Sequence, residues 1–157
     1  MTGIERGGTP KEVETAEVLK HVIGGKLVTK RVGDWLVESR GGPYGTELHY
    51  FAGSGTGEEK ALYGFFIKIP EFSDDPITLL NYHRKAEKGN GTPSLQSLEQ
   101  SLVIVSHDLQ RAIRLVFPAH GQQDTRRWLE KNNYISEGPD NPRFKTYYKD
   151  IQDQSVQ

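Results

Sequence analysis

Residues 90–118, NGTPSLQSLEQSLVIVSHDLQRAIRLVFP, decide how the rest of the chain is read. Leu95, Leu98, Leu102, Val105, Leu109, Ala112 and Val116 recur at steps of three and four, the spacing that lines one face of an α-helix. The same segment holds two β-branched runs, LVIVS and AIRLVF, which could pair instead as a hairpin around HDLQ. A stripe of this length outweighs residue propensities, which differ by only about 1 kcal/mol each. The pattern therefore predicts one helix over 94–117, ended by Pro118.

A long amphipathic helix needs a surface to cover, and the sequence before it offers a sheet. KLVTKRV and DWLVESR meet at Gly33-Asp34, TELHYFAG follows the turn GGPYG, and ALYGFFIKI follows GSGTGEEK. Period-two runs separated by turn-length breaks predict a four-stranded antiparallel meander. Trp35, Val37, Leu48, Tyr50, Tyr63, Phe65, Ile67 and Ile69 supply the apolar side chains that such a sheet packs against helices.

Upstream, TPKEVETAEVLKHVIGG carries full helix punctuation. Thr9 caps, Pro10 takes the first helical position, Glu12 completes a capping box, and Gly24-Gly25 stops the helix. A helix over 10–23 follows, with Val13, Ala16, Leu19 and Ile23 as its stripe. SDDPITLLNYHRKAEKGNG is read as another helix, capped by Asp75 and led by Pro76, and DTRRWLEKNNY as a short one capped by Asp124. Residues 136–157 are read as a loop and polar tail. The expected fold is α+β: a four-stranded antiparallel meander packed against a long helix, with an N-terminal helix and shorter C-terminal helices. Its expected organisation is a flexible N-terminus (1–8), a single domain (9–150) and a polar tail (151–157).

At 157 residues, 34% of them apolar, the chain can bury a core without staples. Twenty basic against 21 acidic side chains leave a formal charge of −1, which argues against a broad nucleic-acid surface. The absence of cysteine excludes disulfides, thiolate nucleophiles and cysteine-based metal sites. With no signal-like N-terminus and no membrane-length apolar run, a cytoplasmic protein without membrane insertion is expected.

Few motifs carry chemistry. Gly53, Gly55 and Gly57 alternate in a hairpin loop that lacks the Gly-Lys-Ser/Thr ending of a phosphate cradle. The five histidines show no metal spacing, so no metal and no cofactor are expected. His49 and His107 remain as acid–base candidates. Ser106-His107-Asp108 is not a triad, because adjacent helical residues point in different directions. Glu71 and Asp74-Asp75 lack the regular spacing of a calcium loop.

The basic cluster His83, Arg84, Lys85 and Lys88 admits two explanations. Cations in the last turn of a helix are stabilised by its dipole, and that alone would account for them. Alternatively they form an anion-binding or nucleic-acid-binding surface with Arg126 and Arg127, with Arg111 and Arg114 alongside. In RFKTYYK, Arg143, Lys145 and Lys149 interleave with Phe144, Tyr147 and Tyr148, a pattern suited to stacking on single-stranded bases. Val103 and Ile104 lie beyond the main helical stripe, and Phe51 and Phe66 on a second sheet face, which together suggest self-association. The expected function is a small non-enzymatic binding or regulatory protein acting through a protein–protein or self-association surface. An RNA- or single-stranded-DNA-binding protein is one alternative. A metal-independent nuclease or hydrolase using histidine acid–base chemistry is the other.

Overall fold

The computed structural model describes residues 8–24, 28–32, 35–42, 45–52, 61–70, 75–84, 91–118, 123–138 and 145–152, with side chains over 8–24, 28–30, 65–70, 75–81, 95–118, 124–138 and 145–152. Helix α1 spans Pro10–Ile23, as its punctuation demands. Thr9 Oγ1 accepts from the Glu12 amide at 3.2 Å, and Glu12 Oε1 accepts from the Thr9 amide at 2.9 Å, closing the capping box. Five strands follow: β1 (Thr29–Val32), β2 (Trp35–Gly42), β3 (Gly45–Ala52), β4 (Ala61–Lys68) and β5 (Ile77–Arg84). Helix α2 (Gly91–Leu109) leads to β6 (Ile113–Pro118), helix α3 (Gln123–Lys131), β7 (Ile135–Glu137) and β8 (Thr146–Ile151).

The sheet is mixed and larger than a four-stranded meander. Its order is β1-β2-β3-β4-β5-β6-β8-β7. Every neighbouring pair is antiparallel except β5 and β6, which run parallel with α2 as their crossover. Parallel neighbours cannot be joined by a tight turn, so an intervening helix is the usual solution.

Three expectations are corrected by this arrangement. The first is the helix expected to begin at Asp75: residues 77–84 are a strand. Ile77, Leu79 and Asn81 are buried while Leu80 is exposed, a period of two that the Ile77/Leu80 spacing had concealed. Asp75 does not cap a helix. Its carbonyl accepts from Arg111 Nη2 at 2.8 Å.

The second correction concerns 94–117. The helix stops at Leu109, where Gln110 turns to φ 55° and the Arg111 amide donates back to the Ser106 carbonyl at 3.2 Å. That is a Schellman stop, satisfying carbonyls the helix would otherwise leave bare. In β6 the fully buried residues are Ile113, Leu115 and Phe117, the ones the helical stripe passed over.

The third is the supposed polar tail. Residues 135–137 and 146–151 are strands, and Tyr147 and Ile151 are buried. Helix α3 lies close to where it was expected. It ends in a second Schellman stop, with Asn133 at φ 70° and the Tyr134 amide bonded to the Leu129 carbonyl at 3.0 Å.

The core lies between one sheet face and the helices. Leu95, Leu98, Leu102 and Val105 of α2 join Ala16, Leu19 and Val22 of α1 over Phe65, Leu79, Leu115 and Phe117 of the sheet. Helices α1 and α2 pack together and are tied by Lys20 Nζ, 2.7 Å from Asp108 Oδ2 and 2.7 Å from Glu17 Oε1. Among the described residues, no helix is long and apolar enough to cross a membrane.

Candidate anion-binding cleft

The parallel pair does not stay joined. β5 and β6 pair over Ile77–Leu80 and Ile113–Val116, and both strands continue beyond. β5 remains zipped to β4 as far as Arg84 opposite Tyr63, and β6 to β8 as far as Pro118 opposite Thr146. The sheet thus opens between β5 and β6 toward their carboxyl ends.

Two features of the sequence account for the split. Gly64 pairs with His83 but Phe65 with Asn81, so Tyr82 is the extra residue of a β-bulge. Bulges bend a strand and sharpen its twist, here on the strand that leaves its parallel neighbour. On the other side Pro118 has no amide to offer a ladder.

The base of the opening is packed. Asn81 and Phe117, the first residues beyond the last pair, are both buried. The Phe117 ring meets Phe65, Tyr134 and Trp128 edge-to-face at centroid distances of 6.2, 5.4 and 6.4 Å. Such pairs add to plain burial and hold ring orientation.

At the mouth, residues 85–90 connect the carboxyl end of β5 to the first turn of α2. Those residues, Lys85-Ala86-Glu87-Lys88-Gly89-Asn90, lie outside the described part of the chain. Their place in the topology inverts the helix-end explanation of the basic cluster. His83 and Arg84 end a strand, and Lys85 and Lys88 precede a helix N-terminus, where the dipole stabilises anions and not cations. The first turn of α2 contains no acidic residue, whereas that of α3 contains Asp124. In chain order a strand, a basic glycine-containing stretch and a helix N-terminus follow one another, and free amides at a helix N-terminus are suited to anions. Ligands of open α/β sheets bind outside the carboxyl ends of parallel strands, where the pattern of strand connection changes.

Other expected site residues go elsewhere. Arg126 and Arg127 lie in α3, which starts just past the end of β6 and so at the same edge of the sheet. The buried Arg126 Nε has no hydrogen-bond acceptor among the described residues. Arg111 and Arg114 share no helical face: Arg111 holds the Asp75 carbonyl, and Arg114 makes a two-pronged pair with Asp150 at 2.6 and 2.9 Å.

His107 sits in the last turn of α2, about 24 Å from the helix start at Gly91 at 1.5 Å per residue. Its neighbour Asp108 is occupied by Lys20. His49 is in β3, paired with Glu38 and Gly64, and its side chain lies outside the described residues. Residues 53–60 and 71–74, with the loop glycines, Glu71 and Asp74, also lie outside them.

Of the alternating basic and aromatic residues near the C-terminus, Arg143 and Phe144 lie outside the described residues, while Tyr147 and Lys149 make contacts within the fold. Lys149 Nζ reaches Glu99 Oε1 at 2.9 Å and the Asn132 carbonyl at 3.1 Å, and lies 5.4 Å from the Tyr134 ring centroid. The Tyr134 hydroxyl donates to Glu99 Oε2 at 2.9 Å, so one carboxylate of α2 anchors both. The Tyr147 hydroxyl donates to Glu130 Oε1 at 3.0 Å. Burial first, and then that carboxylate, raise the Tyr147 pKa, with Arg126 partly offsetting them. Of the two residues expected to mediate self-association, Ile104 is 0% exposed and Val103 is partly buried against the core.

Sequence reasoning missed the parallel pair and the bulge at Tyr82. One signal was present: Gly91 opens α2 a few residues after the run ITLLNY. Together these features define an α+β protein with a mixed sheet whose parallel pair, β5 and β6, separates before either strand ends. No family model and no curated protein sequence matches the chain.

Proposed function

We propose that this is a ligand-binding protein whose site is the opening between β5 and β6, and whose ligand is a small molecule bearing a phosphate or pyrophosphate. The divergence of the two strands in front of the α2 N-terminus carries this reading. The anion would meet the amides of the first turn of α2, with Lys85 and Lys88 adding charge. The rest of the ligand would lie between the strands. An extended arm suits a space bounded by two strands.

The test is binding of adenosine diphosphate and of inorganic pyrophosphate, followed by calorimetry and by amide chemical shifts of residues 91–94. Binding that falls steeply with salt and is lost in Lys85→Glu/Lys88→Glu supports the site. If neither probe binds at low salt, or the double reversal leaves binding unchanged, the site is wrong. A single-stranded oligonucleotide that binds in place of both probes would favour the nucleic-acid alternative.

A group-transfer enzyme is the second reading, and the gap in the sheet favours it. A phosphorylated donor held by its anionic end would place its other end between the strands, within reach of a second molecule. Its test is release of a transferable group to small amine or alcohol acceptors, which the same double reversal must abolish.

A further inference from the structure

The sheet has a second face, and among the described residues its interior is not covered by a helix. The helix contacts come from the other side: Phe117 with Trp128, Tyr147 with Glu130, Lys149 with Glu99. On the outer face the register lines up Phe66, Leu80, Val116, Tyr148 and Ile135 in one row across five strands. Leu80 is 40% and Ile135 56% exposed. A sheet with an apolar row on each face calls for a layer on each. This chain places its described helices on one.

The adjacent row runs Lys68, Thr78, Arg114 and Asp150. Lys68 is exposed at the β4 end and Asp150 at the β8 end. Arg114 lies 4.5 Å over the Tyr148 ring centroid while gripping Asp150.

We propose that this face docks on the same face of a second copy of the chain. A two-fold axis parallel to the strands sets β4 of one copy over β8 of the other. The apolar rows then stack on each other, and Lys68 of each copy stands opposite Asp150 of the other. An isologous interface must be complementary to itself, and a patch with a cation at one end and an anion at the other meets that condition. Face-to-face sheets of this kind pack with strands within about 30° of alignment. The proposal is independent of the cleft, which lies beyond the last β5–β6 pair.

Sedimentation of the full chain across the micromolar range tests it, with circular dichroism confirming that each variant folds. The wild type should sediment as a dimer. Leu80→Asp should raise the dimer dissociation constant by about tenfold or more, as expected of a central apolar contact. Leu80→Thr, which keeps a strand-forming side chain, should weaken the dimer in the same direction, and Lys68→Glu should do so most at low salt. A monomer up to about 100 μM, a concentration at which millimolar-range contacts leave the chain mostly unassociated, would overturn the proposal. So would a dimer insensitive to Leu80 and Lys68 but broken by Ser136→Pro, because that would be edge pairing through β7.

Discussion

Leu80 and Val116 are the last residues at which β5 and β6 stand side by side. Everything proposed for the cleft depends on what happens one step beyond them.

Amide exchange reads that step directly. Amides of Thr78, Leu79 and Leu115 should exchange slowly, because they lie inside a continuous ladder. Those of β5 beyond Leu80 that point toward β6 should exchange faster. A bound phosphate-bearing ligand should slow them together with the first-turn amides of α2. Uniform protection through Arg84 without ligand would mean that the strands remain paired.

The buried face of α2 should be costly to trim. Leu102 and Ile104 are both 0% exposed. Leu102→Ala and Ile104→Ala should each lose about 2–5 kcal/mol in urea unfolding, from lost burial and the cavity left behind. A loss below about 0.5 kcal/mol at Ile104 would return it to the surface.

Glu99 should behave as the hub of a small network. Removing it leaves the Lys149 ammonium with the Asn132 carbonyl alone and takes the carboxylate from the Tyr134 hydroxyl, at side-chain exposures of 18% for Glu99 and 28% for Lys149. Glu99→Leu should cost about 1–3 kcal/mol, the range for leaving a buried polar group without its partner. A cycle of Glu99→Leu with Lys149→Met should show coupling of about 0.5–3 kcal/mol. Additive effects would mean that the two side chains act separately.

Alkaline pH should weaken the fold through two groups. Burial, followed by the Glu130 hydrogen bond, raises the Tyr147 pKa. For Lys20, burial pulls downward, but the hydrogen bonds to Asp108 and Glu17 outweigh it and the net shift is upward. A raised folded pKa means that the unfolded chain releases its proton first. The stabilisation is complete below the unfolded values of about 10 and is lost as pH climbs through the folded ones. Unfolding free energy should therefore fall above about pH 10, and Tyr147→Phe should shallow that fall. An unchanged slope in that variant would remove Tyr147 from the explanation.

Legibility in the sequence followed the range of the interactions. Helix α1 could be read to the residue, because Thr9, Pro10, Glu12 and Gly24 act within one turn of themselves. β5 could not. Ile77, Leu79 and Leu80 fit either period at such a short length, and the choice was made by β4 and β6 on its two sides. For the same reason the basic cluster was found but its electrostatic setting was reversed: only the conversion of 77–84 into a strand puts it at the start of a helix and not the end.

Local caps, turns and apolar periods were enough to read an α+β chain, since these depend on neighbours within a few residues. That β5 and β6 run parallel, that Tyr82 forms a bulge and that the two strands separate there came from long-range pairing. Strand direction and register are set by pairing between distant segments, and loop closure across such distances leaves no local mark in the chain.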